Sequence, residues 1–396
     1  MGGSPKIHEF AVLQELRKSP EILELLQGGG ESELRVQKRL RRRFLDDVVR
    51  AALSLAELRR KAAAKFPRAS EMWFDRVGLE QATSAAVARH KAQRFAGEVL
   101  DYCAGIGGDS IALAERCRVV SVDVNPANCL RVKWNAEVHG VAGNLQAVCA
   151  DVETLTARNG LLHIDPDRRA GSKGRTVRVE DCVPGLEQLQ LMTRGYSGGA
   201  IKLSPAGNYG GKFLGTETEL ISLDGECKEA TIWFGDLAGS VEWRATVLPS
   251  GATLAGNPLE ALAEIGPLGN YLYDPDPAVV RAGLIDMLAE QAGLRRLDDA
   301  EEYLTSGRLV HSPFMRPFEV LAELPNNNRE IRAFFRKSEF GQVEIKCRHI
   351  PIQADAVRRK LPLPGDRPGV LIFARIAGRA RAVVCRRLPP GVFTGG

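Results

Sequence analysis

The chain has 396 residues, enough for two or three domains, and its 44% hydrophobic and 26% charged residues are ordinary for a globular protein. No apolar run approaches the ~20 residues of a membrane span, and the opening MGGSPKIHEFAVLQELRKSPE lacks the apolar core of a signal peptide. The eight cysteines are scattered without a Cys-x-x-Cys pair, which argues against a zinc site or a disulfide framework. The composition therefore predicts a cytoplasmic protein, with no membrane and no metal. The net charge of +5 is unevenly spread. From Arg329 onward there are 15 Lys/Arg against 5 Asp/Glu, and from Glu31 to Ser70 there are 12 against 5. The middle, Glu71 to Asn328, has 24 against 35. Two basic flanks around an acidic centre favour a polyanionic partner.

Along the chain, residues from about 7 to 65 read as helical. Leu34, Leu40, Phe44, Val48, Leu55 and Leu58 recur at helical spacing up to a stop at Pro67. Three glycines at 28–30 separate this helix from an earlier one, and the basic run KRLRRR at 38–43 lies within it. Thr83 or Ser84 then offers an N-cap to AAVARHKAQRF. From there strands and helices alternate: VLDYCAGIGG, DSIALAER, VVSVDVNP, ANCLRVKWNAEVHG, NLQAVCAD, GLLHIDPDRR, EDCVPGLEQLQLMTRG and GGAIKLSP. Such alternation predicts βαβ units and a parallel sheet buried on both faces. EATIWFGD and SVEWRATVLP read as an antiparallel hairpin closing its edge. Beyond about Gly256, a helix starting at Pro277, then the segments RPFEVLAELP, REIRAFFRKSEF, VEIKCRHIPI and DAVRRKLPLPG, and a hairpin around Ala377-Gly378 predict a small basic α+β domain. The expected divisions are 1–70 helical, 71–255 the α/β domain and 256–396 an accessory region.

The stretch VLDYCAGIGGDS poses the functional question. A P-loop is excluded because Asp109, not lysine, comes after Gly108. A dinucleotide turn is disfavoured because Ser110 stands where the third glycine would be, and because Asp101 would repel a pyrophosphate. An ammonium group suits Asp101, directly or through water. Asp123 ends the next strand, where a carboxylate can accept from ribose hydroxyls. Asp151 ends the third strand, within reach of an adenine amino group. Gly105 and Gly107 allow close backbone approach. Each carboxylate also has a local reading as turn or cap, but three at the ends of successive strands point to one ligand.

This set resembles the class I S-adenosylmethionine-dependent methyltransferases, through D-x-x-x-G-x-G (Asp101, Gly105, Gly107), the acidic end of VVSVD, the AD of QAVCAD and the DP of HIDPDRR. LEQATS, DYCAGIGGDS and IDPDRR resemble more narrowly a bacterial branch related to trimethylguanosine synthases and carrying a C-terminal THUMP-like domain. The tail matches through SPFMRPFEV, VEIKCRH and LIFARIAGRARAVVC. The resemblance implies a Rossmann-like α/β sheet with an antiparallel edge hairpin, S-adenosyl-L-methionine as cofactor and RNA as substrate. It makes Cys103, Gly105, Gly107, Gly108, Asp109, Asp101, Asp123, Asn125 and Asp151 candidate cofactor contacts. Amino-methylating relatives carry [ND]-P-P-[YFW] where this chain has Asp165-Pro166-Asp167-Arg168, the candidate catalytic residues. Asp165 would orient the nucleophile or take its proton, and Arg168 or Arg169 would clamp a phosphate or stack on a base. A structural Asp165–Arg168 ion pair is the bland alternative. Lys202 and Tyr209 are further candidates for the cleft, while His163, Trp73 and Trp134 read as core. Three other functions compete: a small-molecule methyltransferase, a non-catalytic RNA-binding protein with a retained pocket and, more remotely, a dinucleotide oxidoreductase.

Overall fold

The computed structural model describes residues 5–27, 33–155, 159–168 and 178–389. The glycines at 28–30 and Arg169 lie outside them, as do the side chains of Leu34 and Arg168. The chain divides into one unit of Met1–Thr216 and Ala230–Gly239 and a second of Glu217–Glu229 and Ser240–Gly396.

The first unit opens with α1 (Pro5–Lys18), α2 (Glu21–Gln27), α3 (Glu33–Arg41) and α4 (Asp46–Ala62). Leu40, Val48, Leu55 and Leu58 are buried in one cluster with Trp73 and Trp134, whose rings pack at 4.6 Å. The helix expected from 34 to 65 is in fact two. Residues 42–45 unwind, and α4 restarts with Asp46 and Asp47 in its first turn, where carboxylates suit the positive helix end. The basic run at 38–43 therefore spans the end of α3 and the turn after it, and all of it but Leu40 is exposed.

Next come α5 (Arg76–Gln81) and α6 (Ala85–Ala92). Beyond them lie β1 (Glu98–Tyr102), α7 (Gly108–Ala114), β2 (Arg118–Asp123), α8 (Pro126–His139), β3 (Leu145–Cys149) and β4 (Leu161–Ile164). A two-residue pair, β5 (Asp167–Arg168) and β6 (Cys182–Val183), precedes α9 (Leu186–Gly195) and β7 (Gly198–Leu203). The strands run parallel in the order β7–β4–β1–β2–β3, as the βαβ pattern predicts. Order reverses at β1, with β2 and β3 on one side and β4 and β7 on the other. In open α/β sheets ligands bind outside the carboxyl ends of the strands at such a switch point, here those of β1 and β4. Gly199 permits the β4–β7 pairing, since a Cβ there would lie 2.0 Å from the Leu162 carbonyl.

The second unit contributes β8 (Glu217–Leu223), the start of β9 (Glu226–Gly235), β10 (Trp243–Leu248) and β11 (Ala252–Gly256). The expected hairpin of 229–236 with 240–249 does not form. β9 runs antiparallel to β7, whereas β10 lies parallel to β8 and makes the antiparallel hairpin with β11. The reason is a reversal that the strand pattern alone does not reveal: Asp224 and Gly225, at φ 54° and 80°, join β8 to β9 in two residues. The remainder is β12 (Tyr271–Pro275), α10 (Pro277–Arg281), α11 (Ile285–Ala292), β13 (Arg295–Arg296), β14 (Leu304–Ser306), β15 (Met315–Pro325), α12 (Asn328–Phe335), β16 (Phe340–Cys347), α13 (Ala354–Arg358), β17 (Arg367–Ile376) and β18 (Arg379–Arg387). Its sheet has the order β13–β14–β12–β15–β18–β17–β16. The β17–β18 hairpin turns at Ala377-Gly378 as predicted.

Candidate active site

Between β1 and α7 the backbone takes positive φ three times, at Cys103 (58°), Gly105 (56°) and Gly107 (86°). A Cβ built on Gly105 meets nothing within 4 Å, so the turn is open to solvent there, while one on Gly107 would touch Val132. Gly108 faces the Thr83 carbonyl at 3.1 Å from such a Cβ. An open turn of bare backbone at a switch point can receive a ligand closely.

Carboxylates surround this turn. Asp123, at the end of β2, accepts from the Gly105 amide at 2.9 Å and the Asn125 amide at 2.7 Å, and both its oxygens lie 3.3 Å from Asn128 Nδ2. Burial raises its pKa, and these hydrogen bonds oppose the rise. Asn125 caps α8, accepting from the Ala127 amide at 3.1 Å. Asp151 is exposed and caps the short turn Val152–Thr154 through the Glu153 amide at 3.0 Å. The Cys103 thiol is pushed up by burial and then by the negative charges of Asp123, Asp165, Asp101 and Asp167. Four carboxylates therefore face this thiol, one of them, Asp165, charge-paired with Lys202.

At the end of β4, Asp165 receives Lys202 Nζ at 2.6 Å, and Lys202 also donates to the Gln81 carbonyl at 3.1 Å. Burial raises the Asp165 pKa, and the Lys202 charge counters it. About a third of the Asp165 side chain nevertheless reaches solvent, so a substrate can approach it. Lys202, from β7, is thus a partner of Asp165, while the expected pairing with the Arg168 side chain lies outside the described residues. Pro166 is buried, and Asp167 is exposed in the small β5–β6 pair. Tyr209, expected as an available stacking residue, is buried, with its hydroxyl on the Pro205 carbonyl.

Beneath the turn lies a buried polar network. Asp101 is 1% exposed; it accepts from His163 Nδ1 at 2.7 Å and from the Ser110 hydroxyl. His163, expected as simple core, is buried but serves as a hydrogen-bond donor to that carboxylate. Lys91 Nζ lies 2.8 Å from Asp109 and 3.3 Å from His163 Nε2. Thr83 donates to Asp109 at 2.7 Å, leaving Ser84 as the N-cap residue of α6. Burial pushes the Asp109 carboxyl up, but the charge of Lys91 beside it leads the opposing effects and holds the group well below the usual carboxylate range. Sequence reasoning does not reach these roles of Lys91, Thr83 and Ser110. One signal exists: Val87, Ala88, Lys91 and Ala92 share the buried face of α6, which places a lysine inside.

Among the described residues, no cluster of three or more His, Cys, Asp or Glu side chains is arranged for a metal ion, and no helix is long and apolar enough to cross a membrane.

Residues 96–177 match the family model described as RNA cap guanine-N2 methyltransferase, and residues 315–387 match the one described as THUMP domain-like. Over 345 residues the chain is 35% identical to an uncharacterized S-adenosylmethionine-dependent methyltransferase of Mycobacterium tuberculosis, covering 83% of this chain and 94% of that one. Its fold matches a crystal structure designated a methyltransferase, from Porphyromonas gingivalis, with a TM-score of 0.73 at 18% identity. That match covers 98% of this chain and all of the other.

Proposed function

The chain belongs to the S-adenosylmethionine-dependent methyltransferase family, and from that premise we propose that it methylates a nucleotide of structured RNA, such as tRNA or rRNA, by in-line transfer. The observation that carries the reading is Asp165, partly exposed at the sheet's switch point beside the open glycine turn and charge-paired with Lys202. The matched descriptions over 96–177 and 315–387 support RNA as the substrate class.

The residues fit the cofactor. The open face at Gly105 accommodates close approach, and the carboxylates around Cys103 favour a cation. When bound, S-adenosylmethionine supplies an electrophilic methyl group on a sulfonium. Cys103, Gly105, Gly107 and Gly108 would form the wall, Asp123 would accept from the ribose hydroxyls, and Asn125 would keep α8 in place beside them. Asp151, exposed after β3, would accept from the adenine amino group. Asp165 orients the attacking group and takes its proton, a role suited to a carboxylate whose proton affinity burial has raised. Holding both reactants in line supplies roughly 7–11 kcal/mol of barrier lowering.

Asp123→Ala should weaken donor binding about 10- to 100-fold, the worth of the charge-assisted hydrogen bonds it removes. Titration calorimetry measures this, and unchanged affinity would remove Asp123 from the site. The exposed run at 38–43 gives the RNA reading its own test. Reversing Lys38, Arg41 and Arg42 to Glu should weaken RNA binding and flatten its salt dependence by about 0.7–0.9 log units for each phosphate no longer neutralised. Identical salt slopes for both proteins would place RNA elsewhere. The decisive assay incubates the purified chain with isotopically labelled donor and total cellular RNA, then analyses nucleosides by mass spectrometry. A labelled nucleoside is expected; label found only in small molecules overturns the RNA assignment.

A further inference from the structure

The buried network under the glycine turn has a definite proton arrangement. Lys91 has only protons to give, so the His163 nitrogen facing it, Nε2 at 3.3 Å, accepts. Nδ1 then carries the ring hydrogen and donates it to Asp101 at 2.7 Å. Ser110 donates to the other Asp101 oxygen. The parallel register of β1 and β4 sets Asp101 directly opposite His163, so sheet pairing itself brings the two side chains together.

The network grips both ends of the turn. Asp101 lies two residues before Cys103, and Asp109 and Ser110 lie directly after Gly108. Between these anchors the backbone holds its three positive-φ residues, one of them a cysteine, a conformation that costs energy and persists only when its surroundings enforce it. The residues doing the enforcing are 8% exposed or less.

We infer that His163 and Lys91 are positioning residues for donor binding, holding Asp101 and Asp109 so that the turn from Cys103 to Gly108 is formed before the donor arrives. This rests on the proposal that the turn receives the donor. Neither side chain need touch it. A preformed turn costs less to bind, so disrupting the network raises the donor's dissociation constant and leaves the transfer step at saturation alone.

Two isosteric choices separate the His163 hydrogen bonds. Asn places an amide nitrogen where Nδ1 stands and preserves the bond to Asp101. Gln places its amide near Nε2 and gives that bond up. Calorimetry with S-adenosylmethionine and with its demethylated product should show His163→Asn within about threefold of the unaltered protein. His163→Gln and His163→Leu should bind about tenfold or more weakly, the effect expected for a carboxylate deprived of a strong donor. KM for the donor should rise in step, with kcat at saturation within about threefold. Gln binding as tightly as Asn, in proteins with intact thermal transitions, overturns the inference, as does a fall in kcat with KM unmoved. Should His163→Leu fail to fold, the Asn–Gln comparison decides alone. Absence of donor binding to the unaltered protein would instead defeat the cofactor reading itself.

Discussion

Replacing Asp165 with Ala is expected to lower methyl transfer by at least about 100-fold while donor affinity stays within a fewfold of normal. The size reflects the two tasks assigned to this carboxylate, orienting the nucleophile and receiving its proton, the second alone worth roughly 10²–10⁴ in rate. The separation of effects has a geometric origin: Asp165 ends β4 and bonds Lys202, whereas the open turn and Asp123 belong to β1 and β2. Single-turnover transfer from labelled donor, alongside calorimetry, reads both quantities. Surviving turnover would strip Asp165 of the role. Lys202→Met adds an independent check. Burial raises the Asp165 pKa and the Lys202 charge restrains it, so removing that charge lets it rise further. The base must be ionised to act, so the acidic limb of the pH–rate profile should move to higher pH. A limb that stays put, or moves down, would show that Asp165 does not govern it.

Lys91→Met carries the largest expected effect on stability. Lys91 is 1% exposed and its ammonium neutralises the buried Asp109. Breaking a buried pair from one side typically costs about 3–5 kcal/mol, because the remaining charge is left in a poorly solvating interior. The pH dependence has a definite sign. In the intact protein the Asp109 pKa is depressed, so the group contributes stability above the ordinary carboxylate range and loses it as pH falls below that range. In the variant, burial's upward push is no longer countered by Lys91, so the folded form takes up a proton more readily than the unfolded one. The deficit should therefore be large at pH 8 and shrink toward pH 5. Urea unfolding midpoints at the two pH values test this. A deficit that grows on acidification would show that the two charges do not compensate each other.

Much of this site can be read from the sequence because parallel strands are near-continuous apolar runs, and the polar residue closing such a run stands at the mouth of the sheet. VVSVD and HIDPD both end on carboxylates that the structure sets around one turn. What the sequence withholds is pairing across the sheet. Asp101 and His163 are 62 residues apart, and only the β1–β4 register makes them neighbours. Lys91 hides similarly, as a single lysine on the buried face that Val87, Ala88 and Ala92 give to α6. The misplaced hairpin has a different origin. TELISL before Asp224-Gly225 is itself a strand, and a reading that leaves it out makes the nearest apolar run downstream the partner of β9. The two-residue Asp-Gly signal is present in the sequence and outranks proximity.

The passage of the polypeptide between the two units has a practical consequence. It crosses at residues 216/217, 229/230 and 239/240, so neither half is a continuous length of sequence. Cutting after Gly239 would keep β8 but discard β10, its parallel neighbour, and leave a bare strand edge prone to aggregation. Starting a fragment at Ser240 would strand β10 in the same way. Excising the THUMP-like tail to obtain a minimal enzyme is therefore better attempted downstream of β11, and a fragment carrying the THUMP-like residues better begun there, than at either crossing.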